Sequence, residues 1–382
     1  MGAFLDCAST TQIYPGVVDA MMPYLKNEYG NPSSIHDLGR VASIIIENSR
    51  ELIATSIGAE PSEIYFTSGG TESNNWVIKG LKNPFRFHPM HMITSNIEHH
   101  SITESIKSRW QMHDDIEYTI VKSDKSGMIH PTDIAEAFKL HTKLCSVMLV
   151  NNELGTVQPT SVIGEKCREN NVLFHTDAVQ AYGHMPIDVK KQNIDLMSAS
   201  AHKLHGPKGI GFLYISNECK QQFVPLISGG QQERGMRAST ENVAAIVGFA
   251  KAAEISIDHM KNNIYKDDIL FDTLISELKK IPDVSINGDE HLLDKRHVNV
   301  LIKGIRAEVL LAMLNEYDIY ISTGSACNSK SNKPSHVLKA IGLTDDQANS
   351  SIRISFDHTT TPEEIELFIK MLKIDIGILK GQ

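Results

Sequence analysis

From Ser33 to Ile215, short apolar runs alternate with stretches whose apolar residues recur at helical spacing. Short apolar runs bounded by turn residues read as buried strands, and the helical spacing reads as helices with one core face. Strands are expected near 63–67, 91–95, 115–121, 143–150, 171–176, 194–199 and 209–215. Helices are expected near 34–57, 71–81, 99–112, 131–140 and 160–169. This alternation predicts an α/β fold, a mostly parallel sheet between helices, with ligands beyond the carboxyl ends of its strands. Thr71, His99, Asn152, Asp177 and Lys203 all fall at such ends.

A long helical region from Thr240 to Lys280 follows. Beyond it the pattern reads as a smaller α+β unit, with strands near 297–303, 319–323 and 350–356 and helices near 307–316 and 362–379. The expected domains are a large one at 14–255 and a small one formed by 1–13 and 256–382. No internal repeat or low-complexity tract interrupts the pattern. The polar stretch 328–333 is the best candidate for a mobile loop, and it adjoins Cys327.

Composition narrows the function classes. A chain of 382 residues can bury a large core and divide into two domains. A net charge of -9 argues against a nucleic-acid footprint, which would be basic, so no direct nucleic-acid binding is expected. No apolar run approaches a membrane span, and Asp6 lies where a secretory signal needs apolar residues. Five cysteines, odd in number and widely spaced, make neither a disulfide framework nor a zinc ribbon, so a reduced, cytoplasmic protein is expected. The 17 histidines are scattered, with no cysteine or carboxylate cluster at ligand spacing, and no metal site is expected.

The densest chemistry lies in Ser198–Gly211. Lys203 follows an apolar run from Ile194 to Ala199 and precedes a second strand from Gly211 to Ile215. Partial desolvation at a strand's end disfavours the ammonium form. A neutral amine attacks aldehydes, which is how lysines hold pyridoxal phosphate. The bland alternative is a solvated loop lysine. Asp177 ends another apolar strand, with Gln180 close behind; it reads either as the partner of a pyridine nitrogen or as a helix N-cap worth about 1 kcal/mol. Glu63 to Asn75 is strand, glycine turn, then helix, a geometry that aims N–H groups at a phosphate. Gly206 to Gly211 has neither Walker A nor dinucleotide-binding spacing. Arg353 is a charged residue inside a half-buried strand, either a carboxylate anchor or an edge arginine facing water.

Taken in order, the motifs resemble the cysteine desulfurases of the class V aminotransferases, over nearly the whole chain. They are Gly30-Asn-Pro-Ser-Ser34, Phe66-Thr-Ser-Gly-Gly-Thr-Glu-Ser73, Glu98-His99, Asn151-Asn-Glu-Leu-Gly155, His175-Thr-Asp-Ala-Val-Gln180 and Ser200-Ala-His-Lys203. Gln232 to Asn242, Ser322-Thr-Gly-Ser-Ala-Cys327 and Ser350 to Ser355 continue the series.

The resemblance implies the fold type I of pyridoxal 5'-phosphate (PLP) enzymes. It implies an activity that converts L-cysteine to L-alanine and leaves a persulfide on Cys327, with the sulfur passed to a protein acceptor for iron–sulfur clusters or tRNA thiolation. Lys203, Cys327 and His99 become the catalytic residues, His99 also stacking on the cofactor ring. Gly70, Thr71, Ser200 and His202 would hold the phosphate, Asp177 the pyridine nitrogen, and Asn152 and Gln180 the phenolic oxygen. Arg353, Asn152 and Asn31 would meet the substrate. Thr240 would reach the phosphate of the partner's cofactor in a homodimer.

Cys7, Cys145, Cys167 and Cys219 read as core residues. Cys7 stands where the resemblance expects an aromatic, and Gln231 and Ser239 depart from it without removing a reacting group. The short stretch after the closing helix leaves docking to a cluster scaffold open. Another class V enzyme, such as a selenocysteine lyase or an aminotransferase, and a non-catalytic sulfur carrier are the competing readings.

Overall fold

The computed structural model describes residues 2–85, 88–113, 115–262, 264–324 and 333–381. Strand β1 (Ala3–Phe4) is followed by α1 (Pro15–Lys26) and α2 (Asp37–Ser56). Strands and helices then alternate: β2 (Ile64–Thr67), α3 (Gly70–Gly80), β3 (Met90–Ser95), α4 (His100–His113), β4 (Ile116–Val121) and α5 (Pro131–Glu136). Next come β5 (Thr142–Ser146), α6 (Thr160–Glu169), β6 (Leu173–Asp177), β7 (Leu196–Ser200) and β8 (Gly211–Ile215). Two helices, α7 (Val243–Asn262) and α8 (Ile264–Lys279), lead to β9 (Val284–Ile286), β10 (His297–Ile302) and α9 (Ala307–Asn315). The chain closes through β11 (Ile319–Tyr320), β12 (Ser322–Thr323), α10 (His336–Ala340), α11 (Asp345–Asn349), β13 (Ser351–Ser355) and α12 (Pro362–Leu379).

Seven strands form the main sheet in the order β2-β8-β7-β6-β5-β3-β4. The five strands from β4 to β7 are parallel, and β8 runs against both of its neighbours. β7 and β8 are buried along their whole length, as strands covered on both faces must be. On one face Phe212 stacks on Phe249 of α7 at 5.7 Å between centroids, and Tyr182 meets both edge-on. On the other face Trp76 of α3 is fully buried and donates its indole N–H to Val224 O at 2.8 Å. Each such side chain removed from water contributes about 1.5–3 kcal/mol before packing is counted.

The second sheet, β12-β13-β10-β9, is antiparallel and has a core of its own. Val298, Val300, Ile352 and Ile354 face Leu274 of α8, Leu310 of α9 and Phe368 of α12. Leu5 joins this core, and β1 pairs with β11. Helix α12 starts at a capping box, with Thr361 and Glu364 each accepting from the other's backbone N–H and Pro362 at the first helical position.

Three expected elements differ in detail. The run expected over 143–150 ends as a ladder at Ser146, but Val147 and Leu149 go on to donate to the carbonyls of His175 and Asp177. The run 319–323 divides after Tyr320, because its halves pair with different strands, β1 and β13. The helix expected from 131 to 140 stops at Glu136, where a turn brings Lys139 N–H onto the Thr142 hydroxyl at 2.7 Å.

Candidate active site

The carboxyl ends of β6 and β7, the N-termini of α3 and α4, and strand β13 enclose a cavity of about 280 Å³. Lys203 closes a short turn after β7, and its ammonium donates to the carbonyls of Ala8 and Ser9, the latter at 2.8 Å. Asp177 ends β6 and is 5% exposed. Its Oδ1 accepts from Val179 N–H at 3.0 Å and its Oδ2 from the Asn74 amide at 2.6 Å. Asn74 also donates to Ser101 Oγ at 2.8 Å, and that hydroxyl stands 2.7 Å from His99 Nδ1. The Ser101 N–H donates to the same Nδ1 at 3.1 Å, so Nδ1 is an acceptor and the neutral ring carries its proton on Nε2. Burial pushes His99 below its ordinary value; Asp177 opposes this and Lys203 adds to it.

The glycine turn before α3 is packed too closely for side chains. A Cβ on Gly211 would fall 2.7 Å from Gly69 Cα, and one on Gly70 would fall 2.5 Å from Val179 Cγ2. Gly69 has φ 149°, in the range that favours glycine. Ser200 and His202 border the same turn. Burial first, then Lys203 and Lys208, push His202 down to about 4, so near neutral pH it is an uncharged imidazole.

These residues sit in a chain whose relatives are well marked. The family profile described as Aminotransferase class-V matches residues 3–368. A protein named cysteine desulfurase IscS, from Methanosarcina thermophila, is 45% identical over 372 residues, covering 97% of this chain and 90% of the relative. One of the same name from Clostridium botulinum is 42% identical, covering 97% of this chain and 93% of its own. A solved structure described as a NIFS-like protein matches with a TM-score of 0.92 at 34% identity, over 99% of this chain and all of the other (100%). Another, described as SspA in complex with cysteine, matches at 0.82 and 36% identity, over 93% and 98%. The chain is a class-V aminotransferase of the cysteine desulfurase group.

Membership in the class-V family implies PLP, and the groups around the cavity fit it. An amine for the aldehyde, a carboxylate for the ring nitrogen, an imidazole beside both, and a glycine turn opening a helix all face one space. Of the residues expected from sequence in this class-V site, Gly70, Thr71, His99, Asn152, Asp177, Gln180, Ser200, His202, Lys203 and Arg353 line the cavity. Asn31 and Thr240 are exposed and lie outside it. Cys327 lies outside the described residues.

Arg353 is buried, because β13 runs between β12 and β10. The edge-arginine alternative therefore falls. Its Nη1 donates to Asn152 O at 2.8 Å, and its Nη2 to Ser9 Oγ at 2.7 Å and Asp6 Oδ1 at 2.8 Å. Nε has no hydrogen-bond partner among the described residues.

Sequence reasoning passed over Asn74, Ser101, Glu153 and His336, which line the same cavity. Glu153 accepts from the Ser335 hydroxyl, and a Cβ on Gly324 would fall 2.6 Å from its Oε2. The described residues on both sides of the Cys327 segment thus meet one cavity-wall carboxylate. Behind His99, Glu98 is fully buried and pushed up to about 8, chiefly by burial. Glu98 and Glu153 lay inside motifs that carry the resemblance, and Asn74 one residue beyond another; Ser101 carried the weaker signal of a hydroxyl two residues after a histidine at a helix start.

Proposed function

We propose that this chain is a PLP-dependent cysteine desulfurase that converts L-cysteine to L-alanine, with the sulfur carried as a persulfide on Cys327. The observation that carries this reading is one cavity that holds an amine on Lys203, a carboxylate on Asp177 and a guanidinium on Arg353. The bound cofactor supplies an electron sink at the substrate's α-carbon. Asp177, with both oxygens fixed by N–H donors, would face the ring nitrogen. Gly70, Thr71, Ser200 and His202 would hold the phosphate, and Gln180 and Asn152 the phenolic oxygen. His99, neutral with its proton on Nε2, would stack on the ring and could move a proton at that nitrogen. Arg353 takes the substrate carboxylate in its fork, with Asn152 and Asn31 beside it. Lys203 removes the α-proton and returns one.

Cys327 attacks as a thiolate. Its sulfur bonds to the substrate sulfur as the Cβ–S bond breaks, and the electron pair stays with the three-carbon product, which gains a proton to become alanine. An acceptor protein in iron–sulfur cluster assembly or tRNA thiolation then takes the terminal sulfur. The domains that bracket the site are 14–255 and 1–13 with 256–382.

A homodimer, with Thr240 reaching the partner's cofactor, is supported by exposed apolar residues on α1, on α2 and in the connection between them. There Leu25, Tyr29, Ile35 and Ile44 are exposed, and Ile35 is 94% exposed. Among the described residues no helix is long and apolar enough to cross a membrane, in keeping with the cytoplasmic location we propose.

The test is the visible absorption of the purified protein together with sulfide and alanine formed from L-cysteine, with a dithiol present to reduce the persulfide, beside Cys327→Ala. Equal sulfide and alanine from the wild type, both lost in a variant that keeps the lysine-bound cofactor band, are the expected results. A persulfide mapped to another cysteine, or cysteine turnover that survives Cys327→Ala, would overturn the assignment.

A further inference from the structure

Histidines scattered through the sequence come together behind the Lys203 turn. His205, 3% exposed, has Nδ1 at 2.7 Å from Gln12 O, so Nδ1 carries a proton and Nε2 of the neutral ring is a bare lone pair. That Nε2 stands 2.8 Å from Asp357 Oδ2. Neither atom has a hydrogen-bond partner among the described residues. The other oxygen of Asp357 is already taken: Oδ1 accepts from the N–H and the hydroxyl of Thr359 at 2.8 and 2.7 Å. Two buried acceptors facing each other are costly unless something positive lies between them. A ring nitrogen of His358 joins them, and the three ligand atoms all lie within 4.8 Å of one another.

We propose that His205, Asp357 and His358 bind one divalent transition cation of the zinc class. Two imidazoles and one carboxylate are the ligand types such ions take, whereas magnesium and calcium favour all-oxygen sites. The bond from His205 Nδ1 to a backbone carbonyl is the outer contact that orients a metal-binding histidine and presents its other nitrogen. The Thr359 bonds do the same for the carboxylate.

Candidates for a fourth ligand are close. The Tyr14 ring stacks on His205 at 4.1 Å, and its hydroxyl lies 2.5 Å from His358 Nε2. The Cys7 thiol adjoins Asp357. Arg296, buried with Nε and Nη1 unpartnered among the described residues, sets a positive charge against the ion. A proton on His205 is therefore the rival occupant that the test must separate.

The ion would tie together the turn after Lys203 and the turn after β13, four residues beyond Arg353, with the stretch before α1 held to the first through Gln12 O. This inference does not depend on the proposed reaction, and its readout is metal binding rather than turnover. The full-length protein is stripped with a chelator and titrated with Co²⁺, followed by visible absorption. One Co²⁺ per chain with an intense tetrahedral band, displaced by Zn²⁺, is expected, with an unfolding midpoint that rises as Zn²⁺ is added.

Asp357→Asn and His358→Gln should each weaken Co²⁺ binding by about 100-fold or more, beyond the roughly 10–100-fold cost of losing an outer partner. Circular dichroism and cofactor absorbance report whether each variant folds. Should Asp357→Asn not fold, His358→Gln and the wild-type titration decide. Absence of a stoichiometric band in the wild type would mean that a proton occupies the cluster and would overturn the proposal. So would a band unchanged in both variants, which would put the ion elsewhere, for example at His100 and His336.

Discussion

The two charged ends of the cavity are answered differently. At Asp177 both carboxylate oxygens accept from donors fixed in the fold, the Val179 N–H and the Asn74 amide. At Arg353, Nε has no partner among the described residues, and Nη2 divides itself between Ser9 and Asp6. A charge with its hydrogen bonds complete is rigid and oriented before any ligand arrives. A buried guanidinium with an open donor keeps binding capacity in reserve, because an unmade bond in low dielectric is costly and a carboxylate relieves it. The contrast separates a group built to aim a field from one built to capture an anion.

The largest effect should come from breaking the capturing end. Arg353→Ala should lower kcat/KM for L-cysteine by about a thousandfold, equivalent to about 4 kcal/mol, with the cofactor still bound. Arg353→Lys keeps the charge without the fork and should recover only a small part of that loss. Steady-state kinetics with cofactor absorbance checks both, and a variant with unaltered kcat/KM would remove Arg353 from substrate binding.

The aiming end should be less sensitive to loss of a single donor. Asn74→Ala removes one charge-assisted bond to Asp177, worth about 1.5–3 kcal/mol, and should cut kcat by about 10–100-fold with little change in KM. The same variant takes away the link through Ser101 to His99, so the pH profile of kcat should move as well. An effect confined to KM would put Asn74 at the substrate end instead.

The smallest expected effect concerns Glu98, the buried acid behind His99, which sharpens the comparison because its Oε2 has no partner among the described residues. Burial raises it from 4.5 to about 8. The folded state keeps a proton there that the unfolded chain releases above about pH 4.5, so this group's stabilising contribution declines as pH rises toward about 8 and then levels. Glu98→Gln should abolish that decline. Urea midpoints of both proteins at about pH 5 and about pH 9 test it, and curves that stay parallel would mean the acid is not held neutral.

Most of the main sheet was legible because its strands are short apolar runs separated by amphipathic helices. The cavity residues were legible because they end those strands. What escaped notice depends on partners remote in sequence. β1 is two residues long and exists only through its pairing with β11. Helix α1, with Pro15 at its start and Pro23 inside, has only Val17 fully buried, so it shows little helical stripe. The path from Asp177 through Asn74 and Ser101 to His99 joins β6, α3 and α4, and no spacing along the chain encodes it. Arg353 looked equally like an edge residue, since only the order of strands in the small sheet decides which strand is covered.

One segment touches both cationic groups. The carbonyls of Ala8 and Ser9 hold the Lys203 ammonium, while Asp6 and the Ser9 hydroxyl hold Arg353. Three residues within one stretch of four, Asp6, Ala8 and Ser9, therefore stand in for two visitors, one at each end of the chamber. Anything that draws this stretch away from Lys203 also loosens its grip on Arg353, so arrival at one end is felt at the other through the backbone alone. Ala3 and Leu5, buried just ahead of it, are its anchor. An affinity tag or a substitution at that anchor is thus an alteration of the chemistry, and the position of a tag belongs among the controls of any assay on this protein.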